Sequence, residues 1–497
     1  MNIGRVAASA LALCLSGPVS AQPAPTAPEF GEAVLVQHDG LFMLDYESLQ
    51  LQTGGELDLI GYHILTPVND WAYFGIGGYA PFVKGEFGGF MAFGVLAHAQ
   101  VDLTERVFAT AGLSFGGGGG GKSILDSVAL SGTGGFARAY LGLGVQFEHF
   151  ALGANISHME FFNSAIDSTQ LDVFLQRPIS YKIGSYGDAG RGFSTVPPSD
   201  DAGSMLSFGL DNYVQIDPVG SYKGAINAVD IQFTRFMSAH SYWFYAGGVG
   251  YRGLPIYNQV FAGLGLRAAP TERLRFYGQV GLGSGGYAPT LIDTGSGLML
   301  YPKLAAEFLI KDNLGVSLTT GFSFALDGTA KNYTLGVALN RHFGGVQAGG
   351  APGRYEGYRF SLSHETTASL SLYNAPLPSL SMITVQADKM LSAHLYIPAR
   401  IAISYKSFKG LPGYGEVSAG FGVQTGYEAG DAVQAFADVQ LGANVQGVIL
   451  RAAVGLDYAL SEGLALRASI AQTYGEERFR STSITLGLTS RFSLLNY

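Results

Sequence analysis

Apolar and polar residues alternate with a period of two along much of the chain. The alternation is clearest in three stretches, residues 333–343, 450–458 and 484–492. Successive side chains of a β-strand point to opposite faces, so this period predicts strands with one apolar and one polar face. A transmembrane barrel, with one face toward lipid and the other toward a lumen, requires such strands; a soluble β-sandwich is the alternative.

An internal repeat divides the chain into similar parts. The tripeptide Ser-Ala-His occurs at residues 238–240 and again at 392–394, and Gly-Leu-Pro occurs at 253–255 and 410–412. The first third is more divergent but keeps the same spacing. Equivalent glycines in the three parts are Gly94, Gly265 and Gly422. A repeat of this kind predicts one structural unit per copy.

The repeat predicts three modules, residues 30–185, 200–345 and 354–497. Each module divides into about eight segments of the ~9 to 11 residues that cross an outer membrane as a tilted strand. In the third module the predicted strands are centred near Phe360, Thr384, Ile401, Phe421, Val439, Val454, Ala468 and Leu486. The expected fold is all-β and antiparallel, with about 24 strands and alternately short and long connections.

Two ways of closing these strands are compatible with the pattern. Long joins at residues 178–202 and 344–353, rich in Gly, Ser, Ala and Pro, suit three tandem eight-stranded barrels filled by their own side chains. Closure of all strands into one sheet is the commoner solution in a single chain. We therefore favour a single barrel of about 24 strands, with three tandem barrels as the alternative.

The composition is that of a membrane-spanning chain without a membrane-spanning helix. The 497 residues are 47% hydrophobic and 13% charged and include 71 glycines, which excludes a disordered chain because that class is polar and highly charged. After the first 21 residues, no stretch has the ~18 to 20 uninterrupted apolar residues that a transmembrane helix needs. The net charge of −9 argues against a nucleic-acid partner, which attracts basic surfaces.

The chain begins with a predicted secretory signal peptide, residues 1–21. Arg5 supplies the positive region, residues 6–15 the short apolar core, and residues 19–21 a small-residue cleavage site. Residues 22–29 form a Pro/Ala leader. The single cysteine, Cys14, lies within the signal, so the mature chain has no disulfide framework.

A glycine string in the first module matches the phosphate-loop pattern. Residues 116–121 are six glycines, followed by Lys122 and Ser123, and a phosphate loop uses such glycines and lysine to hold phosphates at the start of a helix. The equivalent segment of the second module, residues 283–297, has no lysine. We interpret the string as a flexible external loop rather than a nucleotide site.

Two other groups of residues are candidates for chemistry. Ser157, His158 and Glu160 suggest an outer-membrane lipid hydrolase, but adjacent residues of a strand point to opposite faces and cannot form a Ser–His pair. His240 and His394 recur with their turn, which favours a turn-capping or interfacial role over the clustered ligands of a metal site. We therefore predict no enzyme activity, no metal site and no cofactor.

Charged residues on the predicted lumen face of the third module are the candidate lumen lining. They are Arg400, Asp438, Arg451, Asp457 and Arg467. Such residues either form internal ion pairs that rigidify the wall or line a pathway through it, and we favour the structural role.

Nearly all of the mature chain resembles the bacterial outer-membrane β-barrel class, without resembling one family within it. The resemblance rests on the alternation, the Gly and aromatic content, and a last strand, residues 484–492, that ends in Phe492, with Tyr497 as the terminal aromatic residue. It implies a location in the cell outer membrane. It also implies contact with outer-membrane lipid and lipopolysaccharide and with the barrel-assembly machinery.

Three functions remain open at this point. The first is a passive pore or export conduit, with a surface polymer as a candidate cargo and periplasmic export proteins as candidate partners. The second is a structural or surface-display barrel that does not conduct. The third is the lipid hydrolase suggested by Ser157 and His158.

Overall fold

The computed structural model describes residues 36–121, 124–193, 203–311, 313–343, 353–426 and 432–496. The predicted signal peptide and leader, Lys122, Ser123 and Tyr497 lie outside these residues. Within them the chain forms three closed antiparallel barrels, one after another in the sequence.

The first barrel is a sheet of eight strands in sequential order. Its strands are β1 (Val36–Gln50), β2 (Glu56–Pro67), β3 (Ala72–Pro81), β4 (Met91–Asp102), β5 (Val107–Gly119), β6 (Gly135–Gln146), β7 (Ala151–Phe161) and β8 (Asp167–Ile183). One helix, α1 (Ile124–Ser131), lies between β5 and β6. No helix of the described residues is long and apolar enough to cross a bilayer.

The second barrel follows a two-residue strand, β9 (Gly192–Phe193), and again has eight strands in sequential order. Its strands are β10 (Ser204–Gln215), β11 (Ile226–Phe236), β12 (Ser241–Arg252), β13 (Asn258–Ala268), β14 (Leu274–Gly286), β15 (Leu298–Lys311), β16 (Leu314–Ala325) and β17 (Lys331–Phe343).

The third barrel closes through the pairing of its two longest strands, the first and the last. Its strands are β18 (Gly353–Leu372), the short β19 (Ala375–Pro376), β20 (Ser381–Met390), β21 (Leu395–Ser404), β22 (Gly415–Gln424), β23 (Val433–Asn444), β24 (Gly447–Ala459), β25 (Leu464–Gly475) and β26 (Arg480–Asn496). The eight strand centres predicted for this module all lie inside these strands.

The all-β fold of about 24 strands in three eight-stranded repeats is confirmed, but the preference for a single barrel is wrong. In each module the last strand pairs with the first strand of the same module, which leaves no edge to join to the next one. The pairs Leu44–Leu175, Leu210–Val337 and Leu362–Leu488 show these three closures.

The outer faces of the barrels are apolar and many inward-facing side chains are polar, which is the reverse of a soluble protein. In β26, Ile484 and Leu486 are each 55% exposed, whereas Thr485 and Thr489 on the other face are 5% and 0% exposed. The same inversion recurs on β17 and β24. The predicted period of two therefore corresponds to a lipid-facing and an interior face, as in transmembrane barrels.

The two ends of the first and second barrels differ in the length of their connections. The third barrel does not keep this difference, because β23 and β24 are joined by residues 445–446 alone and β22 and β23 by residues 425–432. In the first barrel, the end that we call the turn end has the four-residue turns 68–71, 103–106 and 147–150. The opposite end, the loop end, has the connections 51–55, 82–90, 120–134 and 162–166. Short turns face the periplasm and longer loops face outward in bacterial outer-membrane barrels.

Candidate functional site

The five predicted lumen-lining residues all point into the third barrel. Arg400 lies on β21, Asp438 on β23, Arg451 and Asp457 on β24, and Arg467 on β25. Each is buried, and each has an oppositely charged neighbour within the barrel. The structure thus brings together the side chains that the period of two had placed on one face.

Near the turn end of the third barrel, arginines and aspartates form a compact charged cluster. Arg467 contacts Asp457 at 2.8 Å and Asp388 at 3.1 Å. Arg359 contacts the same Asp388 at 2.9 Å and Asp457 at 3.2 Å. Each arginine is therefore shared between two carboxylates from different strands, which ties the wall together across the interior.

Toward the loop end, a second cluster surrounds Arg400. Its guanidinium donates to Glu365 and to Glu416, each at 2.7 Å. Arg451 lies 3.6 Å from Glu365 and 3.8 Å from Asp438. The charged side chains in both clusters of this barrel therefore form ion pairs with one another across its interior.

The first barrel has an equivalent cluster, and sequence reasoning missed it. Arg138 on β6 lies 2.8 Å from Asp45, 3.2 Å from Glu47 and 2.6 Å from Asp172. A signal for it was present in the sequence: Asp45 and Glu47 are two residues apart, which puts both carboxylates on the same face of a strand.

Apolar side chains close the interior of the first barrel on both sides of this cluster. Those at the loop end include Leu49, Phe90, Phe136, Phe161 and Ile166. Those at the turn end include Leu41, Met43, Leu65, Phe108 and Phe174. Along β1 the two carboxylates lie between Met43 of one cluster and Leu49 of the other, so the charged layer is enclosed from above and below.

The second barrel differs in its charges and in its packing. Lys303 pairs with Asp211 at 2.8 Å, and His342 lies 2.8 Å from Glu307. A cavity of ≈ 50 Å³ lies among its side chains, and one of ≈ 20 Å³ lies in the third barrel. Cavities of these sizes hold a few water molecules at most.

A chain segment from outside the third barrel closes its turn end. This segment, residues 184–193, follows β8, and we call it the strap. Gly184 exchanges two backbone hydrogen bonds with Ser493 at 2.8 and 3.0 Å, and β9 pairs with the start of β18. The ring of Tyr186 is buried against Met390, Tyr396 and Phe436. Part of the long join after the first module is therefore a cover over the third barrel.

The glycine string lies at a contact between barrels. Four of its six glycines, residues 116–119, complete β5 instead of forming the expected external loop. A Cβ on Gly117 would lie 2.2 Å from the carbonyl oxygen of Ser404 in the third barrel. Close approach of two backbones explains this part of the string, since only glycine leaves the space. Lys122 and Ser123 lie outside the described residues.

Loops of the first and second barrels are also joined at the loop end. The amide of Gly88 donates to the carbonyl of Gly295 at 2.9 Å, and the hydroxyl of Ser296 donates to the carbonyl of Phe82 at 2.9 Å. Burial at this junction raises the pKa of Tyr287. The loop ends of the three barrels thus form a joint loop surface, which consists of residues 82–90, 116–119, 286–297 and 404–413.

The residues considered for lipid hydrolysis lie on opposite faces of β7. Ser157 points inward, where it accepts a hydrogen bond from Gln170 at 3.0 Å. His158 points outward, 3.0 Å from the hydroxyl of Thr169. Glu160 lies on the outer face with His158. The serine and the histidine are not brought together.

The recurring histidines lie in turn-end turns that a serine caps. The hydroxyl of Ser238 accepts from the amides of His240 and Ser241 at 3.1 and 3.0 Å. Ser392 does the same for the amides of His394 and Leu395. The recurring tripeptide is explained by this turn, in which the serine makes the cap. Within the described ranges, no group of three His, Cys, Asp or Glu residues is placed to hold a metal ion.

The sequence matches no protein-family profile and no curated protein. Among solved structures, a de novo designed transmembrane β-barrel matches 29% of this chain over 99% of its own length, with 12% identity and a TM-score of 0.20. The ferric enterobactin receptor of Pseudomonas aeruginosa matches 93% of this chain over 82% of its own, with 10% identity and a TM-score of 0.28. The siderophore receptor PirA of Acinetobacter baumannii matches 93% of this chain over 81% of its own length, with 9% identity and a TM-score of 0.29.

Likeness at these TM-scores supports no statement about function. The barrels themselves have an even number of antiparallel strands, closed sheets and apolar outer faces. This is the architecture of outer-membrane β-barrels.

Proposed function

We propose that this chain is a non-conducting outer-membrane protein whose three sealed barrels hold the joint loop surface outside the cell. The low solvent exposure of the charged side chains inside the barrels is the observation that supports this proposal. In the first and third barrels Asp172 and Asp388 are 0% exposed and Arg138 and Arg359 are 1% exposed, and in the second barrel Glu307 is 0% exposed. Charged side chains that lined a water-filled lumen would be among the more accessible residues, so this burial favours interiors that are closed to bulk water.

The location is proposed from the outer surface of the barrels. Apolar side chains such as Leu141, Ile156 and Leu318, which are 63 to 67% exposed, would be unfavourable in water and suit contact with lipid. The predicted signal peptide supports export. Outer-membrane lipid with lipopolysaccharide, and the barrel-assembly machinery, are the partners that this proposal includes.

A passive pore or export conduit is the competing proposal. Conduction through a barrel would require its interior ion pairs to separate, and separated charges inside a barrel are strongly unfavourable unless water replaces every lost contact. The geometry therefore gives less support to the conduit and to periplasmic export partners. Lipid hydrolysis has the least support, because Ser157 faces a packed interior, away from His158.

The test of this proposal is the conductance of the full mature chain, refolded and inserted into planar bilayers. Insertion is monitored by reconstituting the same preparation into vesicles and checking that it resists added protease. The expected result is a silent bilayer, alongside a general porin that gives steps under the same conditions. Reproducible, nearly ohmic steps from folded protein would overturn the sealed-barrel proposal and restore the pore.

A further inference from the structure

The interior of the second barrel has a cavity lined by both apolar and polar side chains. The cavity of ≈ 50 Å³ is lined by side chains from most of the strands, including Asp230, Gln259, Tyr301 and Lys303. Its volume exceeds the ~10 to 15 Å³ that one water molecule requires, so it has room for an ion with a few waters.

Asp230 is the group in this lining with the poorest set of partners. Its Oδ1 accepts from Gln259 at 3.1 Å and, over a longer 3.4 Å, from Tyr213. Its Oδ2 is buried and has no hydrogen-bond donor among the described residues, and the same is true of the Oε1 of Gln259. A Cβ on Gly248 would lie 2.2 Å from the carboxylate, so the glycine leaves the space that this buried group occupies.

No cation of the described residues lies within ion-pair distance of Asp230. The nearby ammonium of Lys303 contacts Asp211 at 2.8 Å, and Asp211 also accepts from Thr319 at 3.0 Å. Lys303 and Asp211 therefore balance each other. The interior carboxylates of the first barrel, by contrast, share Arg138. Asp230 is therefore left without a cation, and a buried carboxyl group in that position either takes up a proton or stays ionised beside a bound cation.

We propose that this cavity binds one monovalent metal cation, Na⁺ or K⁺, with Asp230 as its charged ligand. The available donor atoms are carboxylate, amide and hydroxyl oxygens, which are the ligands of hard cations. A single uncompensated carboxylate matches one positive charge, whereas Ca²⁺ prefers six to eight oxygens with several carboxylates. The site is independent of whether the protein conducts.

The test compares the thermal unfolding of the full mature chain refolded in three chloride salts at equal ionic strength. The salts are those of Na⁺, K⁺ and N-methyl-D-glucamine, whose organic cation is too large for the cavity. A ligand that binds only the folded state raises the unfolding temperature. We expect the wild type to unfold a few degrees higher in at least one of the two metal salts than in the organic salt.

Two variants assign the effect to this site. Asp230→Asn removes the charged ligand, and its unfolding temperature is expected to be the same in all three salts. Asp457→Asn removes a buried carboxylate of the third barrel that is already paired with Arg467; it lowers stability but retains the difference between salts. A wild type that unfolds at one temperature in all three salts contradicts the proposal and indicates a cavity that holds only water beside a protonated carboxyl group. So does an Asp230→Asn variant that retains the difference.

Discussion

Inside the first barrel a single guanidinium, that of Arg138, contacts three carboxylates from β1 and β8. None of these groups is reached by bulk water, so each depends on the others for the stabilisation that water would otherwise supply. The arrangement also connects strands that are distant in sequence, since Asp45 and Asp172 lie at the closure between β1 and β8. The ion pairs of Arg138 therefore also stabilise the pairing of β1 with β8 that closes the barrel.

Replacement of Arg138 by Met tests this coupling. The substitution leaves Asp45, Glu47 and Asp172 buried without a cation, and we expect the free energy of unfolding to fall by about 3 to 5 kcal/mol. Urea unfolding of the refolded protein in detergent measures it. The control is Lys84→Met, which breaks the solvent-exposed contact with Glu56 and should leave the midpoint unchanged. Equal midpoints for wild type and Arg138→Met would show that the cluster contributes nothing.

Sequence reasoning located part of these interiors and missed the rest for a physical reason. Arg400 and Arg467 fall on the interior face because the period of two fixes the side of a strand on which a residue lies. Which carboxylate each one meets depends on the stagger between strands and on barrel closure. A single sequence does not contain that information, so the cluster around Arg138 and the unpaired Asp230 were not predicted.

At the scale of the elements, the end of β5 shows how a short strand segment joins two barrels. The glycines there allow the strand backbone to approach the end of β21, and the rings of Phe115 and Tyr405 pack beside them with centroids 5.1 Å apart. Composition indicated a flexible loop at this point, because glycine strings are usually loops. The glycines instead form an ordered strand end because they pack against another barrel. No local pattern in the glycine string predicts this packing.

Substitution of Gly117 by Ala tests whether this contact joins the barrels. Its Cβ would lie 2.2 Å from a backbone oxygen of Ser404, so the two strands must separate. We expect amides in residues 405–414 to exchange with deuterium about tenfold faster, the factor that corresponds to about 1.4 kcal/mol. The matched control is Gly415→Ala, where the nearest atom lies at an ordinary 3.4 Å. Equal exchange in both variants would mean that the contact is not formed.

The strap illustrates the limit of prediction for connecting segments. Its residues have no period of two, and a Gly- and Ser-containing join is compatible with either a free linker or an ordered cover. The burial of Tyr186 beside Tyr396 shows that the segment is an ordered cover. This burial depends on contacts with the third barrel, whose residues come much later in the chain. Strands could be predicted from local alternation, whereas this tertiary contact could not.

At the scale of the whole molecule, the number of barrels was the least predictable feature. Strand length and alternation are the same for one barrel of about 24 strands and for three barrels of eight. The two arrangements differ only in which strand lies next to β1, β10 and β18. The long joins between modules favoured separate barrels, and the structure shows that they were the more informative signal.

The measurement that tests this account most directly is a disulfide between β1 and β8. Leu44 and Leu175 face each other across that closure, at a spacing that suits a disulfide, and the predicted mature chain contains no cysteine of its own. Oxidation of the folded Leu44→Cys/Leu175→Cys protein should give an internally cross-linked chain that migrates differently on a non-reducing gel. The two single-cysteine variants should not. Folded protein that fails to cross-link would contradict three separately closed barrels and favour one wide barrel, in which these strands lie far apart.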